Sequence, residues 1–328
     1  MTTFLTQKDI ESYIPHRYEN MLIDSITIMT DDSKDLGFPG ELEVTINKKD
    51  ALGREIFTKE KNNNSKVIIS STFLEILALG SVVSTGKIPP DYIALFASIS
   101  HFKKVKDIEV GNRLIGKLTP LKIKTEFFLY RAELFNDKKE PIASGDLMAF
   151  IGKKGDLLSD KDFEKRLLPQ NKFKDIKLPI FNQAKDKVMF LLDKLVYLNE
   201  SEKIVISQYT YPNNHPCTKG HFYNYPVMMG IMQILMVEDA AFSYALLQNE
   251  KEQQDKEYIL CCNAEIIKEN LVPVADLKGV KIRISIQNKQ KFIVEADLFS
   301  FTKVAFRNMV SPGEVIYAKL TNITIGGQ

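Results

Sequence analysis

Two residues in this chain combine a titratable side chain with a neighbourhood that would tune it. His221 stands in Gly220-His221-Phe222, shortly before Pro226-Val227-Met228 and Gly230. An imidazole with an unperturbed pKa of about 6.5 can take a proton near neutral pH. Glu75 lies within Phe73-Leu74-Glu75-Ile76-Leu77-Ala78, in an otherwise apolar segment. Desolvation raises a carboxyl pKa there, so part of the group stays protonated and able to donate. The plainer readings are a structural histidine at a strand end and a partly exposed glutamate. Glu238 and Asp239 are alternative acids, one helical turn beyond Leu235. His16 and His215 have no acidic or cysteine partner at ligand spacing, so packing or surface roles are expected and no metal site is read. Cys217, Cys261 and Cys262 also lack metal-ligand spacing. A reactive thiolate would need a positively charged pocket, and Cys217 is treated as incidental.

The elements that must position these residues occur twice. A short polar helix is expected over Gln7 to Tyr13, then Ile14-Pro15-His16-Arg17-Tyr18, then a strand from Met21 to Met29. Val67 to Val83 is apolar on all sides and is ended by Gly86 and Pro89-Pro90, which suits a helix wrapped by sheet. Alternating stretches follow at Tyr92 to His101, Arg113 to Thr119, Lys122 to Leu134 and Ile142 to Ile151, with turn signals at Asn136-Asp137 and Gly155-Asp156. Residues from about Gly152 to Asn182 are rich in Lys, Asp, Gln and Pro and read as a surface connector.

The order then repeats. Val188 to Tyr197 echoes the early strand, Pro226 to Gln248 supplies a second helix, and strands are expected at Tyr258 to Ile267, Val280 to Ile286, Phe292 to Phe301 and Ala318 to Ile325. A repeat of about 160 residues is too long for a solenoid and fits a duplicated domain. We assign residues 1–155 to one domain, 156–183 to a linker and 184–328 to the second. Pairing two such sheets edge to edge would remove one exposed edge from each, so the chain imitates a two-fold dimer with its sites in the seam.

The 328 residues carry 44 Lys and Arg against 42 Asp and Glu, so no global field points to nucleic acid or an anionic membrane. The N-terminus has no basic start followed by an apolar stretch, and the odd, scattered cysteines suit a reducing setting, so a cytoplasmic location is expected. The most apolar run, Tyr225 to Val237, is followed at once by Glu238 and Asp239 and reads as a buried core helix rather than a membrane span.

Two stretches resemble the bacterial 3-hydroxyacyl-acyl-carrier-protein dehydratases, a family with the hotdog fold. The first is Ile14-Pro15-His16-Arg17-Tyr18 with Met21-Leu22-Ile23-Asp24, similar to that family's IPHRY…LL(V/I)D start. The second is Gly220-His221-Phe222 with Pro226, Met228 and Gly230, matching GHFxxxPxMPG except that Met229 replaces the second proline. Phe96-Ala97-Ser98-Ile99, Phe102-Lys103 and Val110-Gly111-Asn112 look like the family's strand and turn after the helix.

The resemblance implies an α+β fold in which each antiparallel sheet wraps a long central helix, here as a tandem, or double, hotdog. It also implies a catalytic pair of the GHF histidine and an acidic residue fourteen positions later, drawn from different subunits. Here that position after His221 holds Leu235, and the position fourteen before Glu75 holds Lys61. Each half therefore keeps one member of the pair, and one complete site can be assembled from His221 and Glu75. Lys61 and Leu235 would mark a dead second site.

The activity so implied is dehydration of (3R)-hydroxyacyl thioesters to trans-2-enoyl thioesters, or the reverse hydration, on carrier-protein or coenzyme A substrates, with no cofactor. Gly230 N–H is assigned to the thioester oxygen, and Phe222, Pro226, Val227, Met228 and Leu74 to an acyl tunnel. Lys103, Lys104, Lys106 and Arg113 are candidates for docking an acidic carrier, and a further homodimer of double hotdogs is compatible with this reading. Two alternatives remain open. One is a thioesterase in which Gln233 or Glu238 directs water. The other is a non-catalytic acyl-binding partner protein.

Overall fold

A computed structural model describes residues 1–31, 36–61, 65–157, 163–250, 255–288 and 292–327. Its first central helix, Ser70–Ser84, is buried at every position. A helix apolar all round has no solvent face to offer, and this one is enclosed by sheet. The second, Gly230–Glu250, is long and apolar enough to cross a membrane by length and composition, but its most apolar window is 89% buried inside the protein. It is a core helix, as expected for the Tyr225 to Val237 run.

The sheet around them is continuous. Its order is Thr2–Thr6, Ser25–Met29, Gly40–Thr45, Arg113–Ile123, Phe127–Asn136, Pro141–Lys153 and Tyr92–Lys104 in the first half. The second half follows with Phe292–Phe306, Pro273–Asn288, Lys256–Lys268, Val315–Gly327, Ile204–Thr210 and Lys194–Asn199. Every neighbouring pair along this path is antiparallel. The halves meet where Tyr92–Lys104 pairs with Phe292–Phe306, with Ile99 opposite Val304 and Phe102 opposite Phe301. The Phe102 and Phe301 rings stack there at 5.2 Å. Two sheet edges that would otherwise face water satisfy each other's backbone groups. Each half is a central helix wrapped by antiparallel strands, and the chain is a double hotdog with a pseudo-two-fold seam.

Glu75 and Leu235 hold the same position in their helices. Glu75 lies five positions after Ser70, and Leu235 lies five positions after Gly230. The strands extend past the expected ends, as in Tyr92–Lys104 and Pro273–Asn288, because polar residues on the outer face keep the pairing without an apolar signal. The polar helix stops at Ile10 rather than Tyr13. Part of the expected linker, 158–162, lies outside the described residues. Beyond it, Phe181–Gln183 joins the sheet in parallel with Phe292–Phe306, and Ile176, Leu178 and Phe181 pack on the core.

Candidate active site

His221 and Glu75 meet in the seam. His221 sits in the turn before the second helix, and its Nδ1 lies 3.0 Å from the Val227 carbonyl oxygen. A carbonyl can only accept, so Nδ1 carries the proton and Nε2 presents a free lone pair. The turn is closed by Val227 N–H donating to the His221 carbonyl (2.7 Å) and by Tyr225 N–H donating to Phe222 (3.0 Å). Glu75 enters from the first helix, in the other half.

A third group joins them. His16 Nε2 lies 3.7 Å from Glu75 Oε1, and its ring is 4.8 Å from that of His221, edge-on. One donor atom from each of His16, Glu75 and His221 falls within 4.8 Å of the others, and all three residues are buried. His16, for which a packing or surface role was expected, therefore belongs to the site.

The backbone explains how the two signature stretches find each other. Arg17 N–H donates to the Gly220 carbonyl (3.0 Å), and Tyr223 N–H donates to Pro15 (3.1 Å). Asn20 Nδ2 donates to Cys217 (3.2 Å). A β-carbon on Gly220 would stand 2.1 Å from the Arg17 carbonyl oxygen, so only glycine permits this approach. The Ile14–Tyr18 stretch thus acts as a cross-half clamp that delivers His16 to His221.

Burial then sets the charges. Glu75 is pushed up from 4.5 to about 7, with desolvation as the cause. His221 is pushed down from 6.5 to about 4, also chiefly by desolvation, against the opposing pull of its backbone hydrogen bonds. His16 is held well below its ordinary value by burial and by the neighbouring His221 and Arg17. Burial thus favours the neutral form of both imidazoles and lets Glu75 hold its proton to higher pH than an ordinary glutamate. The site can both take and give a proton.

These groups open into a cavity of about 570 Å³ whose lining includes Leu74, Phe222, Val227, Met228, Gly230 and Gln233. Pro226, expected among them, is exposed and lies outside the lining, because the Phe222–Tyr225 turn directs it outward before Val227 turns back in. Gly230 opens the second helix, so its N–H has no partner within that helix. A β-carbon there would come within 2.9 Å of Phe306. Gln233 is buried in the lining, and its side-chain oxygen has no hydrogen-bond partner among the described residues.

The pseudo-symmetric seam is filled instead. Leu235 is fully buried, but Lys61 is exposed and pairs with Asp107, so the cations that occupy this seam are Lys59 and Lys104. Lys104 Nζ reaches both oxygens of Asp297 at 2.7 Å and Ser70 Oγ at 2.9 Å, while Lys59 Nζ reaches Glu295 at 2.9 Å and Asp297 at 3.2 Å. Asp297 is held far below the usual carboxylate range by these lysines, in spite of its burial. Ser70 begins the first helix where Gly230 begins the second, so this ion-paired plug stands at the counterpart of the Gly230 helix start.

Glu238 and Asp239, the alternative acids, face this plug and not His221. Asp239 accepts from Leu191 N–H at 2.7 Å and pairs with Lys185 at 2.5 Å, and Glu238 feels Lys185 and Lys59. Neither lines the cavity. Lys104, a docking candidate, is buried in the plug. Lys106 and Arg113 are exposed but paired with Glu140 and Glu43, and Lys103 is exposed. His215 packs structurally: Nε2–H donates to the Val188 carbonyl (2.8 Å), and Nδ1 accepts from Cys217 N–H. Burial drives Cys217 well above its ordinary pKa, away from reactivity.

No family model and no curated protein matches the chain. Among solved structures it is similar to the dehydratase domain from the CurK module of curacin polyketide synthase, at 8% identity, 92% of this chain, 96% of that one and a TM-score of 0.46. It is also similar to the dehydratase domain of RzxB from Pseudomonas fluorescens, at 10% identity, 88% and 96% coverage and a TM-score of 0.42. A thioesterase superfamily member from Thermus thermophilus matches 37% of this chain and 85% of its own, at 12% identity and a TM-score of 0.31. With TM-scores below 0.5, these likenesses decide nothing about the chemistry, which the pocket itself must carry.

Proposed function

We propose that the chain is a hydro-lyase that dehydrates (3R)-hydroxyacyl thioesters, or hydrates the corresponding enoyl thioesters, at one composite site. One observation carries the reading: an imidazole and a carboxyl, contributed by opposite halves, face one cavity lined by Leu74, Phe222, Val227 and Met228, where burial favours the neutral form of both groups. In the dehydration direction, His221 Nε2 takes the C2 proton. The electron pair forms the C2–C3 double bond, and the C3–O bond breaks as protonated Glu75 delivers its proton to the leaving hydroxyl, so that water departs. Gly230 N–H, at the helix N-terminus, stabilises the charge that develops on the thioester oxygen. The acyl chain lies against Leu74, Phe222, Val227 and Met228, and methionine adapts to chains of different length. The donor is a carrier-protein or coenzyme A thioester, and Lys103 remains a candidate for contacting an acidic carrier.

One observation favours a second reading. The amide oxygen of Gln233 in the lining, without a hydrogen-bond partner among the described residues, could hold a water toward the thioester carbonyl, as a thioesterase requires. Incubation with a (3R)-hydroxyacyl thioester series and product analysis separates the two. Enoyl thioester supports the dehydratase, whereas free acid with no enoyl product refutes it.

A further inference from the structure

His16, Glu75 and His221 form a set of ligands as well as a proton-transfer site. His221 is oriented as metal-binding histidines are, with one ring nitrogen donating to a backbone carbonyl and the other left with a free lone pair. His16 is buried, its Nδ1 has no hydrogen-bond partner among the described residues, and its Nε2 faces Glu75 Oε1 at 3.7 Å, beyond hydrogen-bond reach. A buried imidazole in that state lacks the compensation that buried polar groups normally find. The third group, Glu75, brings an oxygen to 3.7 Å from His16.

These separations suit a small cation. Ligand atoms bound at about 2.0–2.2 Å in a tetrahedron stand roughly 3.3–3.6 Å apart. The His16–Glu75 separation already lies near that edge, and no separation in the trio exceeds 4.8 Å. Rotation of the side chains by about 1 Å would close the widest of them to ligand distance. Two imidazoles with one carboxylate are a zinc-type donor set, whereas magnesium prefers a shell of oxygens. Three protein ligands in a buried pocket leave the fourth position facing the 570 Å³ cavity.

We propose that His16, Glu75 and His221 bind one divalent cation of the zinc class and that this cation and the thioester exclude each other. The second clause rests on the dehydratase reading above, because the cation would occupy the His221 Nε2 lone pair and the Glu75 carboxyl that the elimination uses. The first stands on geometry alone. Zinc would then act as a reversible inhibitor that reports on the free site.

The test uses the untagged full chain, stripped with a chelator and equilibrated with zinc chloride, with magnesium chloride as the control ion. Bound metal is counted by elemental analysis, and cobalt substitution is followed by visible absorption. We expect one zinc per chain, no retained magnesium, and an intense four-coordinate cobalt spectrum. Affinity should fall at least tenfold in His16→Ala. Glu75→Gln, which keeps the shape of the side chain, should show the same loss should His16→Ala fold poorly. Saturating zinc should abolish turnover, and chelator should restore it. A wild type that retains no zinc, or variants that bind it as tightly as wild type, overturns the site. Zinc bound with turnover unchanged overturns the exclusion. A chain that binds one zinc but turns over no hydroxyacyl thioester leaves the metal site standing and removes the dehydratase reading.

Discussion

Replacing the buried acid should make the protein more stable while it destroys the chemistry. Glu75 is raised from 4.5 to about 7 by desolvation. A carboxyl whose folded pKa is raised binds its proton more tightly in the native state, so the penalty is absent below about 4.5, grows through the interval and is complete above about 7. A shift of about 2.5 pKa units at about 1.4 kcal/mol each corresponds to an order of 3 kcal/mol. Glu75→Gln keeps the shape and removes the charge, so it should gain about that much at pH 8.5 and almost nothing at pH 4. With an unfolding entropy of about 2.1 cal/mol/K per residue over this length, the alkaline gain corresponds to a Tm rise of about 5 °C. Differential scanning calorimetry of both proteins at the two pH values is the assay. A variant no more stable than wild type at pH 8.5, or one that gains equally at both pH values, would refute the claim that the carboxyl is desolvated by the pocket.

Other outcomes follow from the same geometry. The kcat/KM profile for hydroxyacyl thioester dehydration should be bell-shaped, rising through about 4 as His221 loses its proton and falling through about 7 as Glu75 loses its own. A profile still rising above pH 8 would contradict the assignment. Lys104→Met should cost about 3–5 kcal/mol in urea unfolding by leaving Asp297 buried with one fewer cation, and the added change Asp297→Leu should recover part of that loss. Gly230→Ala places a β-carbon 2.9 Å from Phe306, and steady-state kinetics should show kcat/KM lowered by about ten- to a hundredfold while the fold persists. Wild-type kinetics in that variant would contradict a substrate seated closely against the start of the second helix.

Much of the architecture could be read before any coordinates. The all-round apolar stretches located both helices, since a helix without a polar face has to be enclosed. The resemblance to the dehydratase family, whose catalytic pair is drawn from different subunits, implied that His221 and Glu75 converge although each half keeps only one of them. What escaped were facts created by long-range pairing. His16 entered the site through hydrogen bonds between Arg17 and Gly220 and between Pro15 and Tyr223, across some two hundred residues of chain. The only local signal for it was the Ile14–Tyr18 stretch itself. Lys104 and Lys59 look like solvated surface in sequence and are buried only because Asp297 comes from the other half. Exposed Lys61 stood in for them because counting along the chain cannot show which lysine the strand turns inward. Pro226 was misplaced for a similar reason, as one tight turn decides which side of the loop faces the cavity.

The central claim is that one site, built from both halves, performs the chemistry. It is tested most directly by measuring kcat/KM for hydroxyacyl thioester dehydration in the wild type, His221→Ala, Glu75→Gln and the double variant. Groups that act as a unit are not additive, so each single variant should lose at least about a hundredfold and the double about as much as the worse single. Single variants that each keep about half of the activity would mean two working sites, and losses that multiply in the double variant would mean that His221 and Glu75 do not act on the same substrate together.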